Sequence, residues 1–205
     1  TADNNVAVGA QSLQANTTGT NNTAVGFDAL NDNVTTSGNT AIGNQSLSKN
    51  IAADNTAVGY LSFAANTTGA NNVGVGRQTG LANTSGTQNT FIGERAGIAN
   101  TTADFNTAIG AASLLANTTG HSNTALGYLS LVANTTGNYN IAVGRDAMQA
   151  NTTGTRNIAI GFEAYDASDT ENDNIAIGHQ AMTTNTAGGT ANVALGNYTL
   201  DALTS

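Results

Sequence analysis

The chain contains no cysteine, no proline and no tryptophan. Without cysteine there is no disulfide framework and no thiolate metal site. Without proline the composition departs from that of most disordered chains, which are also rich in charge. Charge is scarce here: 9% of the 205 residues are Asp, Glu, Lys or Arg, and 5% are aromatic. Only five residues are Lys or Arg against thirteen Asp or Glu, a net charge of −8. A nucleic-acid partner is not expected, because phosphate recognition needs a basic face. No apolar run approaches the roughly 18 residues of a membrane helix, so membrane insertion by this segment is not expected. No signal peptide and no initiator Met are evident at Thr1, which suggests a mature product or a fragment of something longer.

What remains is a narrow alphabet: Ala, Thr, Asn and Gly fill 122 positions. They are ordered by a repeat, the feature to be sought first in such a chain. One Asn opens each of twelve units: Asn5, Asn22, Asn39, Asn55, Asn72, Asn89, Asn106, Asn123, Asn140, Asn157, Asn174 and Asn192. The spacing is 17 residues throughout, except 16 after Asn39 and 18 after Asn174. No linker or change of composition interrupts the series, so residues 1–205 are expected to form one tandem-repeat domain.

Within the unit the positions are specialised. The residue after the opening Asn is Val, Thr or Ile in every unit, and the next is Ala in ten, with Gly74 and Phe91 as exceptions. The third is Val, Ile or Leu, and Gly follows in all twelve, from Gly9 to Gly196. β-branched, small, β-branched is the alternation of a short strand. The constant Gly predicts a corner of positive φ or of close backbone approach. Four residues further on stands a large apolar anchor, such as Leu13, Leu30, Leu47, Phe63, Leu114, Met148 or Tyr165. Gly80 and Gly97 take that place in two units, each followed by a large residue, Leu81 and Ile98. The anchor is expected to move by one position there.

A second Asn follows the first by eleven residues in ten units: Asn16, Asn33, Asn50, Asn66, Asn83, Asn100, Asn117, Asn134, Asn151 and Asn185. It usually opens Asn-Thr-Thr-Gly, a turn sequence, and identical Asn residues stacked in register can bond from unit to unit.

A seventeen-residue unit is too short for a helix pair or a propeller blade, and no 3.6-residue period runs through it. The expected fold is all-β: a parallel β-solenoid, or β-roll, of twelve coils, each with two short strands and two turns. At about 4.8 Å per coil the rod would be roughly 55 Å long. One coil cannot stand alone, so stacking must carry it. Strand alternation is expected to turn the β-branched residues inward and the Ala row (Ala24, Ala41, Ala57, Ala108, Ala125, Ala142, Ala159, Ala176) outward, as a flat strip for packing against other copies.

Asn-Thr-Ala-Val-Gly at 22–26, Asn-Thr-Ala-Ile-Gly at 106–110 and Asn-Ile-Ala-Ile-Gly at 157–161 resemble the Ser-Val-Ala-Ile-Gly-type repeats of YadA-like trimeric autotransporter heads; similar repeats occur in phage-type tail fibres. The resemblance spans the chain. It implies a parallel β-roll with three chains side by side, located outside the cell on an outer-membrane-attached surface protein or a fibre, and attachment to cells, matrix or glycans, as in virulence-associated adhesion. The unit departs from that family's typical length of about fourteen residues, and the Asn-Thr-Thr-Gly segment is the candidate extension.

The sequence shows no catalytic constellation, and an enzyme is not expected; no catalytic, cofactor-binding or metal residue is assigned. His121 and His179 occupy different repeat positions and are expected to be surface turn residues. Gly74-Val-Gly76-Arg-Gln-Thr-Gly80 has its third Gly one place late for a dinucleotide loop, and its first two belong to the repeat. Asp166, Asp169, Glu171 and Asp173 replace one Asn-Thr-Thr-Gly turn without the spacing of a calcium loop, and are expected to be solvated. The Asn-x-Thr sequons at Asn16, Asn66, Asn117, Asn134 and Asn151 are what the turn demands. Two alternatives to a trimeric adhesin are a filament of chains joined end to end and an ice-binding solenoid. The Thr row for ice would be Thr17, Thr67, Thr84, Thr101, Thr118, Thr135 and Thr152, since the row with Thr23 and Thr107 is expected to face inward.

Overall fold

The computed structural model describes residues 2–167, 169–183 and 189–201. Twelve three-residue strands follow one another: β1 (Val6–Val8), β2 (Thr23–Val25), β3 (Thr40–Ile42), β4 (Thr56–Val58), β5 (Val73–Val75), β6 (Thr90–Ile92), β7 (Thr107–Ile109), β8 (Thr124–Leu126), β9 (Ile141–Val143), β10 (Ile158–Ile160), β11 (Ile175–Ile177) and β12 (Val193–Leu195). They form one sheet in sequence order, every pair parallel. The register places equivalent repeat positions side by side, as in Thr23↔Thr40, Ala24↔Ala41 and Val25↔Ile42. The chain is a β-solenoid of about seventeen residues per turn, as the repeat predicts.

Each coil holds one strand among the described residues, not two. The expected second strand, after the Gly corner, is an arc in which left-handed residues recur: Asp28 and Leu30 have φ of 59° and 52°, and Leu129 and Leu131 of 56° and 52°. A strand cannot contain such residues. The arcs still bond between coils, with Leu30 N donating to Ser46 O at 3.0 Å and Leu131 N to Ala147 O at 2.9 Å.

The constant Gly meets both expectations. All twelve have φ between 118° and 140°. A Cβ on Gly26 would stand 2.5 Å from Gly43 O in the next coil, so no side chain fits between the stacked corners.

The facing of the strands is the reverse of the expectation. Ala24, Ala41, Ala57, Ala108, Ala125, Ala142, Ala159 and Ala176 are completely buried. Ile42, Val75, Ile92, Leu126, Ile160 and Ile177, predicted as core, are 36–44% exposed. The physical reason is the width of the coil. Its interior receives the anchor, the small residue before it and both Asn side chains, so a methyl group fills the space left at the strand centre.

The anchor does not shift in the two Gly units either. Leu81 and Ile98 are only half-buried, while Phe63 and Phe91 are completely buried. A Cβ on Gly74 or Gly80 would meet the Phe63 ring at 2.6 and 2.5 Å, and one on Gly97 the Phe91 ring at 2.7 Å. Two large rings supply the volume that the glycines give up.

Two Asn ladders hold the remaining interior. The opening Asn accepts through Oδ1 from the backbone N–H of the next opening Asn, as at Asn89 to Asn72 (2.9 Å) and Asn106 to Asn89 (2.9 Å). The second Asn donates from Nδ2 to Oδ1 of the preceding one: Asn83 to Asn66 at 2.7 Å, Asn100 to Asn83 at 2.8 Å and Asn117 to Asn100 at 3.0 Å. The ladders meet at a turn carbonyl, since Asn55 and Asn66 both donate to Gly69 O, at 2.9 and 2.8 Å. The buried amides named here are thereby satisfied without water, whereas Asn151 Oδ1 is buried with no hydrogen bond among the described residues. Asn185 lies outside the described residues.

Candidate interaction face

Because Asn and Ala point inward, the two residues flanking each Ala point outward. They form two rows along the sheet. One runs Val8, Val25, Ile42, Val58, Val75, Ile92, Ile109, Leu126, Val143, Ile160, Ile177 and Leu195, aliphatic throughout. The other carries Thr23, Thr40, Thr56, Thr90, Thr107 and Thr124, and becomes Ile141, Ile158, Ile175 and Val193 in the last four coils. The row expected to face inward thus lies outside, and its Thr hydroxyls have no protein hydrogen-bond partner among the described residues. At about 4.8 Å per strand and about 7 Å between rows, the face covers several hundred Å². Its aliphatic half runs the length of the sheet, and its other half is mostly Thr until the last four coils.

Immediately past the Gly corner runs a further column that includes Phe27, Tyr60, Arg77, Tyr128, Arg145, Phe162 and His179. Phe27, Tyr60 and Tyr128 are about half exposed. The Arg145 guanidinium carbon lies 6.0 Å from the centre of the Tyr128 ring and 5.5 Å from that of Phe162. Phe162 stacks on His179 at 5.1 Å, and His179 packs on Tyr198 at 5.2 Å. Tyr, Phe and Arg beside an aliphatic strip are the residue types enriched in interface cores.

The other Thr row is committed to the fold. Thr67 Oγ1 donates to Thr84 O at 2.8 Å, Thr84 Oγ1 to Thr101 O at 3.1 Å, and Thr118 Oγ1 to Thr135 O at 3.0 Å. It fastens coil to coil and is not a free hydroxyl array.

His121 meets Tyr139 edge to face with centroids 5.0 Å apart, so both histidines lie against exposed aromatic rings. The acidic turn is only partly solvated. Asp173 pairs with Arg156 through two contacts of 2.6 and 2.8 Å, which hold its carboxyl below the usual range. Glu171 is buried and Asp169 exposed. Asp166 has an Oδ1 that is buried without a hydrogen bond. Its carboxyl is pushed up by burial and by the neighbouring Glu163 and Asp146. Among the described residues no group of three or more His, Cys, Asp or Glu is gathered to hold a metal. Gly74 and Gly80 lie under the Phe63 ring and form no phosphate cradle. The sequon residues Asn66, Asn117, Asn134 and Asn151 are buried in the ladder, their amides closed to modification in the folded chain.

No helix is long and apolar enough to cross a membrane among the described residues. No family model, no curated protein and no solved structure matches the chain.

Proposed function

We propose that this chain is a rigid β-roll segment of an extracellular attachment protein, a surface adhesin head or a phage-type fibre, in which three copies pack side by side through their outward sheet faces. The observation that carries the reading is the unbroken aliphatic row from Val8 to Leu195 on the outside of a fold whose own core is complete without it. Water contact with such a row is unfavourable by roughly 25 cal/mol per Å² of apolar area. Association of copies in register removes it, because each coil offers its neighbours the same residue. The sequence resemblance to trimeric heads supports three as the number. Identical coils then repeat any weak ligand contact along and around the shaft, which raises avidity. No reaction chemistry is assigned.

The test is the mass of the chain in solution by sedimentation equilibrium or light scattering. Three times the 20.5 kDa of one chain is the expected value, and a stable monomer removes the reading. An end-to-end filament would instead give an open series of masses and sedimentable fibres.

A second reading rests on a separate observation. Thr23, Thr40, Thr56, Thr90, Thr107 and Thr124 present free hydroxyls beside aliphatic side chains on a flat, regularly spaced face. Such a face on a monomeric rod orders water and suits an ice-binding solenoid. Thermal hysteresis from a monomer would favour it over the trimer.

A further inference from the structure

We infer that the hollow beside Phe105 is a binding site for a neutral saccharide unit, an inference that rests on the attachment reading and names its ligand class. The hollow measures about 290 Å³ and is lined by Thr102, Ala103, Asp104, Phe105, Thr119 and His121. Its lining comes from the Asn-Thr-Thr turn and from the residues just before the ladder Asn. It therefore lies on the turn side of the coil, outside the strand rows proposed for self-association. Its size is at the lower end for small-ligand sites, about 300 Å³, which suits one sugar ring.

Phe105 is one of two aromatic residues in its column, with Tyr139. Its backbone is left-handed, with φ of 61°. Other coils place Asn, Gly or Asp there, as at Asn4, Gly38 and Asp54, but also Gln88, Ser122, Arg156 and Ala191, all left-handed. Burial gives the ring no compensation for that backbone, because Phe105 is 56% exposed. His121 stands in a column of otherwise small or polar residues, such as Thr20, Ser37, Ala53, Asp104 and Asn138. Tyr139, also 56% exposed, holds its ring edge-on from the next coil. Neither the Phe105 nor the Tyr139 ring fills the core, and an apolar sugar face can stack on such an exposed ring.

The polar lining matches the hydroxyls of a sugar. Asp104 Oδ1 accepts from the backbone N–H and the hydroxyl of Thr87, at 2.6 and 2.9 Å, which fixes the carboxylate. Among the described residues its Oδ2 has no hydrogen-bond partner, and neither do the side-chain hydroxyls of Thr102 and Thr119. One oriented acceptor and two hydroxyls thus line the hollow beside Phe105. Asp104 is the one acidic group in the lining, and the chain carries −8 overall. An anionic sugar is repelled, so the ligand is neutral.

The test uses soluble oligosaccharides ending in galactose, glucose, mannose or N-acetylglucosamine, read by saturation-transfer NMR and by titration. At least one is expected to bind the native chain. Phe105→Asn and Asp104→Asn should each weaken that binding about tenfold or more. Both variants use residues their columns already hold: Asn21 for the first, and for the second Asn138, whose Oδ1 accepts from His121 N at 2.8 Å. Thermal midpoint and mass are therefore expected to stay as in the native chain. Absence of binding by the whole panel, unchanged binding by either variant, or tighter binding of a sialylated oligosaccharide than of its neutral counterpart would each overturn the inference. The mass of the same samples separates the two proposals. A monomer that binds sugar refutes the trimer alone, and a trimer that binds none refutes the saccharide site alone.

Discussion

The ring of Phe63 lies stacked against that of Phe91, centroids 5.7 Å apart and planes 11° from parallel. One is an anchor and the other a strand centre, from coils two apart. Together they fill the space left by Gly74, Gly80 and Gly97. The volume of the core is thus conserved across coils, not coil by coil.

This makes a compensating pair testable. Phe91→Ala alone should cost about 3–5 kcal/mol, because Gly97 offers no side chain to the cavity. Gly97→Leu alone should also destabilise, since its Cβ meets the Phe91 ring at 2.7 Å. Combined, the two changes restore the Ala and Leu of a regular coil. Gly97 already has the backbone for it, with φ of 57° against 52° at Leu114. Urea denaturation of the four chains should show most of the stability regained in the double variant, a coupling of opposite sign to the single losses.

The solenoid and the length of its unit were legible in the sequence because a period of 17 is a statement about stacking that needs no side-chain detail. The facing of the strands was legible too, but through Asn rather than through hydropathy. A residue that bonds to its own copy in the next coil must lie inside. The opening Asn106 and Ala108 are two apart in an extended segment, so they share a face, and Thr107 and Ile109 take the other. Hydropathy alone points the larger aliphatics inward, which fails here because Asn, Ala and the anchor already fill the interior. The second strand failed for a different reason. Alternation of Ala, Leu and polar residues does not reveal that Leu114 has a positive φ, since leucine seldom does. The hollow at Phe105 needed three dimensions, because its lining comes from neighbouring coils.

The Asn ladder should respond sharply to charge. Asn100 Nδ2 donates to Asn83 Oδ1 at 2.8 Å and to Ala103 O at 3.1 Å, and its Oδ1 accepts from Asn117 at 3.0 Å. Asn100→Ala leaves these partners unsatisfied and should cost about 2–4 kcal/mol. Asn100→Asp should be worse at neutral pH, because a buried carboxylate would face two acceptors with no donor to offer. Its thermal midpoint should recover as pH falls and the acid becomes a donor. A midpoint that is independent of pH would contradict the burial of the ladder.

Adjacent residues should fail in different ways. Ala159 is fully buried and Ile160 is 38% exposed. Ala159→Leu overfills the narrow interior and should cost about 1–3 kcal/mol or prevent folding. Ile160→Asp with Ile177→Asp should leave the circular-dichroism spectrum of one coil stack intact while reducing the mass to that of a single chain. Loss of fold in the second case, or loss of association alone in the first, would reverse the assignment of faces.

Asp166 gives the pH dependence a sign. Its carboxyl titrates above the ordinary 3.8 because it is partly buried, next to Glu163 and Asp146, and its Oδ1 has no hydrogen bond. Arg145 does not relieve it, since Nε of that residue is engaged by Asp146 Oδ2 at 2.9 Å. Glu163 in turn accepts from Gln180 at 2.6 Å. Between 3.8 and the raised value the folded chain holds a proton that the unfolded chain has released. Stability from this group is therefore fully present below 3.8 and is lost as pH rises through the raised value. Asp166→Asn removes the charge at every pH. It should raise the thermal midpoint at pH 7, with little effect near pH 3.5, where the native Asp166 is already protonated. A lower midpoint at pH 7 would show that the Asp166 charge is stabilising, contrary to its burial beside two other acids.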